Sequence, residues 1–129
     1  TNVTELFVEN MRRHHIPPIL LFFWAYLHQY RCHYILGQLR KGGKNKSQYT
    51  IPTGDWFEFV SSPHFFTEML IYLALTLCQA VNNPKTPMWL VFLTTCCILT
   101  ASARQTQQWY REKFDDYPKE RKIVIPYVY

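Results

Sequence analysis

Three long apolar blocks, separated by strongly polar segments, limit what this chain can fold into. The blocks cover residues 16–36, 65–81 and 88–103. A helix needs about 20 apolar residues to span a bilayer, with a range of about 17–25, and all three blocks sit at the short end of that range. Stretches such as 22–24 and 88–93 leave no polar face, whereas the helices of a soluble domain carry an apolar stripe. The sequence therefore predicts an all-α, multipass membrane helical bundle, with a soluble helical bundle as the alternative.

The charge and cysteine patterns narrow the choice of partners. The chain has 129 residues and a formal net charge of +5, which is compatible with nucleic-acid binding. The Lys and Arg residues cluster beside the apolar blocks, however, and a membrane-edge distribution explains them better. The four cysteines lie in the apolar blocks without a C-x-x-C pair, which favours small core residues over a disulfide framework or a zinc site. We therefore expect a membrane partner, no nucleic acid and no metal.

The sequence predicts a single domain, 1–129, with one helix for each block. A polar, helical lead-in over residues 1–15 is followed by a first helix that starts at the proline pair 17–18 and runs to about Arg40. Ser62 and Pro63 are typical of an N-cap and a first helical residue, which places the start of the second helix there. The third helix is expected to run from residue 88, after a Pro-rich turn, to about residue 114.

The distribution of basic residues predicts the orientation in the membrane. If all three helices cross, the 40–62 loop and the tail lie on one side, and most of the cations lie there with them. The positive-inside rule places this side in the cytosol. The segment 41–47 is then a flexible basic cytosolic loop, because it matches no phosphate-binding motif, and its sequon at Asn45 is unused.

Polar residues recur at helical spacing within the first two helices. Gln29, His33 and Arg40 share one stripe of the first helix, either as the wall of a cavity open at the membrane surface or as ordinary headgroup contacts. His64 and Glu68 share one face of the second helix. A carboxylate in so apolar a helix is costly unless it is paired. Alternatively, the helix dipole and interfacial water satisfy it.

Two motif blocks connect the chain to a known family. They are Tyr49-x-Ile51-Pro52-x-Gly54-x-x-Phe57-x-x-Val60-Ser61 with His64 and Glu68, and Tyr110-x-x-x-Phe114-x-x-Tyr117-Pro118-Lys119-x-Arg121-Lys122-x-x-Ile125-Pro126. In this order, over about residues 25–129, they resemble the C-terminal half of the steroid 5α-reductase family. The segments 28–41 and 54–58 look most like its polyprenol (polyprenal) reductase branch.

The resemblance implies a fold, an activity and a location. The family fold is a bundle of about seven membrane helices, so a chain with room for three or four implies a missing N-terminal half. The branch implies NADPH-dependent reduction of the α-isoprene double bond of a polyprenoid lipid, on the route to dolichol for N-glycosylation, in the endoplasmic reticulum membrane. The alternatives are a 3-oxo-Δ4-steroid 5α-reductase, an enoyl-thioester reductase, or a non-catalytic membrane interaction protein.

The resemblance also implies which residues hold the cofactor. The family positions fall at Gln29, His33, Arg40, Tyr49, His64, Glu68 and Tyr110. Arg40 suits a phosphate, although a lone arginine at a helix end also snorkels to the headgroups. An Arg and a His of the steroid enzymes are replaced by Ser102 and Thr106. The acid pair that polarises the substrate carbonyl lies upstream in the family and has no counterpart in residues 1–24, so the catalytic residues remain unassigned.

Overall fold

The computed structural model describes residues 2–42 and 49–129, and helices dominate both segments. The helices are α1 (Val3–Gly42), α2 (Pro63–Asn82) and α3 (Met88–Lys113). A 3-10 turn, Asp55–Glu58, precedes α2. Helix α2 is central, because it packs against both α1 and α3. The all-α class is confirmed for the described residues. The predicted basic loop falls largely on residues 43–48, outside the described residues, as does the sequon at Asn45.

Helix α1 is longer than predicted. It is one continuous helix of 40 residues that contains both Pro17 and Pro18, so the prediction that the proline pair starts the helix is wrong. The fixed φ of proline suits a helix, but each proline in a helix interior removes one backbone hydrogen bond and its ring crowds the carbonyl four residues earlier, so the continuous helix tolerates a local cost. The helical lead-in is confirmed as the first part of α1, and an exposed Glu9–Arg13 pair at 3.0 Å lies on it.

Two of the three helices are long and apolar enough to cross a membrane. Within the described residues these are α2 and α3, fewer than the three or four helices that the sequence predicts. Helix α1 is apolar only over its middle, where Phe23 and Leu27 are exposed, and its two ends are polar. Exposed Leu90 and Leu93 on α3 extend the apolar surface. This surface supports a membrane protein.

The ends of α2 and α3 agree closely with the sequence prediction. Ser62 is the N-cap of α2, but its side chain makes no capping hydrogen bond. The first turn is closed by the backbone, since the Phe65 N–H donates to the Ser62 carbonyl at 3.2 Å. Helix α3 begins at Met88 and ends one residue before Phe114, as predicted.

The tail after α3 folds back onto the segment that precedes α2. Val60 and Lys122 form an isolated parallel β-bridge, in which the Ser61 N–H donates to the Lys122 carbonyl at 2.9 Å. Buried Met69, Ala103 and Val124 pack together and join α2, α3 and the tail in one core cluster. The tail thus belongs to the packed body of the molecule.

A buried polar network reinforces this contact. The hydroxyls of Ser61 and Tyr117 are hydrogen-bonded at 2.7 Å. The Arg121 guanidinium donates through Nη1 to the Pro52 carbonyl at 2.8 Å, and the Gln107 amide donates to the Arg121 carbonyl at 2.9 Å. Each of these bonds connects segments far apart in the sequence.

The cysteines are free and only partly internal. Cys32 is buried, Cys78 and Cys96 are half-buried, and Cys97 is exposed. The prediction of small core residues therefore holds for Cys32 and is wrong for Cys97, which stands on the outer face of α3.

Candidate functional site

The two polar stripes predicted on α1 and α2 meet across the helix interface. The Gln29 amide donates to the Glu68 carboxylate at 2.5 Å. One turn along, the rings of His33 and His64 lie with their centroids 5.6 Å apart, edge to face. Because Gln29 precedes His33 while Glu68 follows His64, the two helices run antiparallel here. Four polar side chains thus form two adjacent layers between helices that are otherwise largely apolar.

His64 contributes an unsatisfied polar atom to this cluster. Its Nδ1 is buried and has no hydrogen-bond partner among the described residues. The ring is enclosed by aromatic neighbours, with centroids 4.2 Å from Phe65 and 6.3 Å from Phe57. A buried polar atom without a partner is uncommon and costly in a folded protein. His64 therefore offers one free hydrogen-bonding position next to the Gln29–Glu68 pair.

Tyr49 and Tyr110 come together at the end of α3. Their ring centroids are 6.5 Å apart, and Trp109 contacts both rings. The Lys113 ammonium lies over the rings of Tyr49 and Trp109, 5.5 and 4.7 Å from their centroids. Tyr110 is buried and stacks on Tyr117 at 5.2 Å. The pair therefore has an aromatic and cationic environment.

The predicted residues lie at the same end of the molecule but not in one tight cluster. The C-terminal half of α1, the start of α2 and the end of α3 meet there. Tyr110 stacks on Tyr117, whose hydroxyl bonds Ser61, three residues before His64. Arg40 stands apart, exposed in the last turns of α1. The structure thus brings together the helix-borne pairs and the tyrosine pair, and leaves Arg40 at the surface.

Ser102 and Thr106, which replace an Arg and a His of the steroid enzymes, carry no positive charge. Thr106 donates its hydroxyl to the Ser102 carbonyl at 3.0 Å, within α3. The nearest basic residues on this helix, Arg104 and Arg111, line an open groove of about 590 Å³ together with Gln107. Polar and charged side chains therefore border this part of α3, but on another face from Ser102 and Thr106.

The sequence analysis missed an ion-pair cluster in the same half of α1 as Gln29. The Asp55 carboxylate is hydrogen-bonded to His28 Nδ1 at 2.9 Å and forms an ion pair with Arg31 Nε at 3.2 Å. The His28 ring stacks on Trp56 with centroids 4.5 Å apart. The signal in the sequence was the pair of basic residues flanking Gln29, three apart on the helix. Their acidic partner is distant in the chain, so spacing alone could not find it.

This arrangement suits the binding of a polar ligand head at a membrane edge. Amide, carboxylate and imidazole groups can donate to and accept from a carboxamide, and the aromatic rings nearby can stack on flat groups. The described residues contain no group of three or more His, Cys, Asp or Glu side chains that could hold a metal ion. The chemistry offered here is hydrogen bonding and stacking.

The chain is similar to a family of known proteins. The family model described as 3-oxo-5-alpha-steroid 4-dehydrogenase matches residues 3–129. Polyprenal reductase 2 of Arabidopsis thaliana is 43% identical over 109 residues, which are 84% of this chain and 31% of that protein. Polyprenal reductase of Xenopus tropicalis is 43% identical over 119 residues, which are 90% of this chain and 38% of that protein.

The extent of these matches decides what they show. The chain spans about a third of the length of the curated relatives it matches. The family match, in contrast, covers nearly the whole chain. The chain therefore belongs to the steroid 5α-reductase family, whose model is described as 3-oxo-5-alpha-steroid 4-dehydrogenase, on the branch that contains the polyprenal reductases.

Proposed function

We propose that this chain is the cofactor-binding part of an NADPH-dependent polyprenal reductase. The enzyme would saturate the α-isoprene double bond of a polyprenoid lipid on the route to dolichol. The family membership and the names of the relatives support the reaction class. The structural observation that most supports the proposal is the contact of Gln29 with Glu68, beside His33 and His64, across two antiparallel helices.

The residues of this site fit a nicotinamide cofactor. The carboxamide of the nicotinamide both donates and accepts hydrogen bonds, and Glu68 and the unpartnered Nδ1 of His64 are complementary to it. The Tyr49–Tyr110 pair and Arg40 would hold the more distant parts of the cofactor, and the guanidinium of Arg40 would suit a phosphate. When bound, NADPH supplies the hydride that adds to the β-carbon of the substrate. The protein residues hold and orient the reactants.

The substrate is better described as an aldehyde than as an alcohol. Only a conjugated carbonyl activates the alkene toward hydride addition, because the charge that develops on the oxygen must be stabilised. That stabilisation calls for an acid beside the carbonyl. The family places the acid upstream of the residues matched here, so we assign the acid to the N-terminal half of the enzyme. The residues of this chain serve binding and orientation.

The proposed location is the endoplasmic reticulum membrane, with the tail on the cytosolic side. The apolar helices α2 and α3 support membrane insertion. The predicted cofactor residues lie at the end of the bundle that carries most of the Lys and Arg residues. A charged cofactor that enters from the cytosol would reach this end first.

Assays of the full-length protein in membranes test the proposal. We expect NADPH oxidation with polyprenal, little with polyprenol, and loss of activity with NADH in place of NADPH. Cells without the protein should accumulate polyprenoid precursors and underglycosylate their proteins. Turnover of a 3-oxo-Δ4-steroid or an enoyl thioester with normal dolichol levels would favour those reductases instead. No turnover with any of these substrates and no lipid change would indicate a non-catalytic interaction protein.

A further inference from the structure

Asp55 connects the segment before α2 to the turn of α1 that carries Gln29. Its side chain is only 2% exposed, is hydrogen-bonded to His28 and forms an ion pair with Arg31. These two residues lie three apart on α1, on either side of Gln29. The backbone of Asp55 adopts φ 46°, in the left-handed region, directly after Gly54 at φ 97°. A non-glycine residue at positive φ is uncommon, so its surroundings must hold the conformation in place.

Aromatic stacking extends the connection to α2. The backbone N–H of Trp56 donates to Asp55 at 2.8 Å, to the same carboxylate oxygen that His28 contacts. The Trp56 ring stacks on His28 and reaches Phe66 of α2, with centroids 5.5 Å apart. His28 directly precedes Gln29, and Phe66 lies two residues before Glu68. Asp55 thus contacts α1 directly, and its neighbour Trp56 connects it to α2, in both cases next to the Gln29–Glu68 pair.

From this geometry we infer that Asp55 is a positioning residue for the Gln29–Glu68 pair. This inference rests on the proposed function of the pair as the carboxamide contact. The 2.5 Å contact between Gln29 and Glu68 depends on the rotation and register of α1 relative to α2. Small misplacements of a binding group, about 1 Å, can cost about 100-fold in rate. Asp55 acts through the helices and need not touch the cofactor.

The test compares two neighbouring carboxylates in full-length protein. Asp55→Asn removes the charge that holds His28 and Arg31. Glu58→Gln is the matched control, because Glu58 belongs to the same 3-10 turn and, among the described residues, its side chain accepts only from the Gly54 N–H, at 2.8 Å, within the loop. We expect Asp55→Asn to lower kcat by about 10–100-fold at a comparable level of folded protein. Glu58→Gln should stay within about twofold of the wild type, as is usual for surface substitutions.

A second measurement does not depend on activity. A cross-linking variant combines Gln29→Cys and Glu68→Cys in a background without the native cysteines. A short bifunctional thiol reagent joins the two new cysteines, and the yield reports how often the two positions meet. The cross-linking yield should fall when Asp55→Asn is added and should not change with Glu58→Gln. If Asp55→Asn fails to accumulate, Arg31→Gln replaces it, because Arg31 is largely exposed and its loss removes one of the two anchors.

The outcomes separate the inference from the proposed function. A lower cross-linking yield without any reductase activity in the wild type would support the positioning role and overturn the proposed function. An unchanged yield would overturn the positioning role whatever the activity. The double variant Asp55→Asn/Gln29→Ala gives a further test. If its loss of kcat equals the product of the two single losses, the inference is overturned, because a residue that acts through Gln29 should have no further effect on kcat once Gln29 is removed.

Discussion

At the scale of single residues, Glu68 carries most of the argument. The sequence left open whether this carboxylate is paired or is satisfied by the helix dipole and interfacial water. The structure gives it a specific partner, Gln29, on another helix. Among the described residues, the Gln29 amide donates to one of the two carboxylate oxygens of Glu68, so the carboxylate keeps capacity to accept from a ligand.

The substitution Glu68→Gln tests this residue. It keeps the size of the side chain and removes the charge, so a charge-assisted bond worth about 1.5–3 kcal/mol is lost. We expect weaker NADPH binding and a fall in kcat/KM of about 10–150-fold, at about 1.4 kcal/mol per tenfold change. Steady-state kinetics of the full-length protein measure this.

The chain offers a matched control for this substitution. Glu112 on α3 also accepts from a glutamine, Gln108, at 2.9 Å, but that pair is exposed. Glu112→Gln should leave kcat/KM unchanged. Poor accumulation of Glu68→Gln with normal activity per folded molecule would instead assign Glu68 a structural role and remove it from the cofactor site.

At the scale of elements, the contact between the tail and the segment before α2 is the main feature. Its bonds join positions separated by 56 residues, as in Ser61–Tyr117, and by 69 residues, as in Pro52–Arg121. No local pattern in the sequence predicts such pairs.

The starts of α2 and α3 were predictable, because Pro63 and the Pro-rich turn before Met88 mark them locally. The start of α1 was not, because prolines favour the first turn of a helix over its interior, and α1 nevertheless continues through Pro17 and Pro18.

The hydroxyl of Tyr117 is expected to stabilise the folded tail. Both Tyr117 and Ser61 are buried, so Tyr117→Phe leaves the Ser61 hydroxyl without its partner. We expect a loss of about 1–3 kcal/mol in the free energy of unfolding. Thermal unfolding of the detergent-solubilised protein measures the effect. The double variant Tyr117→Phe/Ser61→Ala should recover much of the loss, and a double variant as unstable as the single one would contradict the role of this hydrogen bond.

Packing between α2, α3 and the tail gives a second prediction at this scale. Ala103 is fully buried against Met69 and Val124. A leucine there overfills the core, and we expect Ala103→Leu to destabilise the protein by about 1–3 kcal/mol. Ala101, two residues away, is exposed, so Ala101→Leu should change the melting temperature little. Equal effects of the two substitutions would contradict the packing of α3 described above.

At the scale of the whole molecule, one end of the bundle concentrates the polar and aromatic residues. The fold class followed from the apolar blocks, and helical spacing grouped the polar residues of each helix, whereas the family resemblance supplied their cofactor roles and the two tyrosines. The contacts that assemble the site did not follow from them. Asp55 is an example, because its partners His28 and Arg31 lie on another element and only the packing of the loop on α1 brings them together.

The predicted topology places the site end in the cytosol. A tag appended after Tyr129 should be digested by protease added to sealed microsomes, because the positive-inside bias puts the tail outside the lumen. A tag in the turn near Lys85 should survive until detergent opens the vesicles. Protection of the tag at Tyr129 in sealed vesicles would reverse the orientation and with it the cytosolic entry of the cofactor.

The antiparallel register of α1 and α2 has a consequence for the evolution of the chain. Two contacts, Gln29 with Glu68 and His33 with His64, depend on equal four-residue intervals on helices that run in opposite directions. A one-residue insertion inside either interval turns the following side chains by about 100°, at 3.6 residues per turn, and breaks one contact of the two. Insertions and deletions among related reductases should therefore be tolerated between residues 42 and 50 and be absent from 29–33 and 64–68.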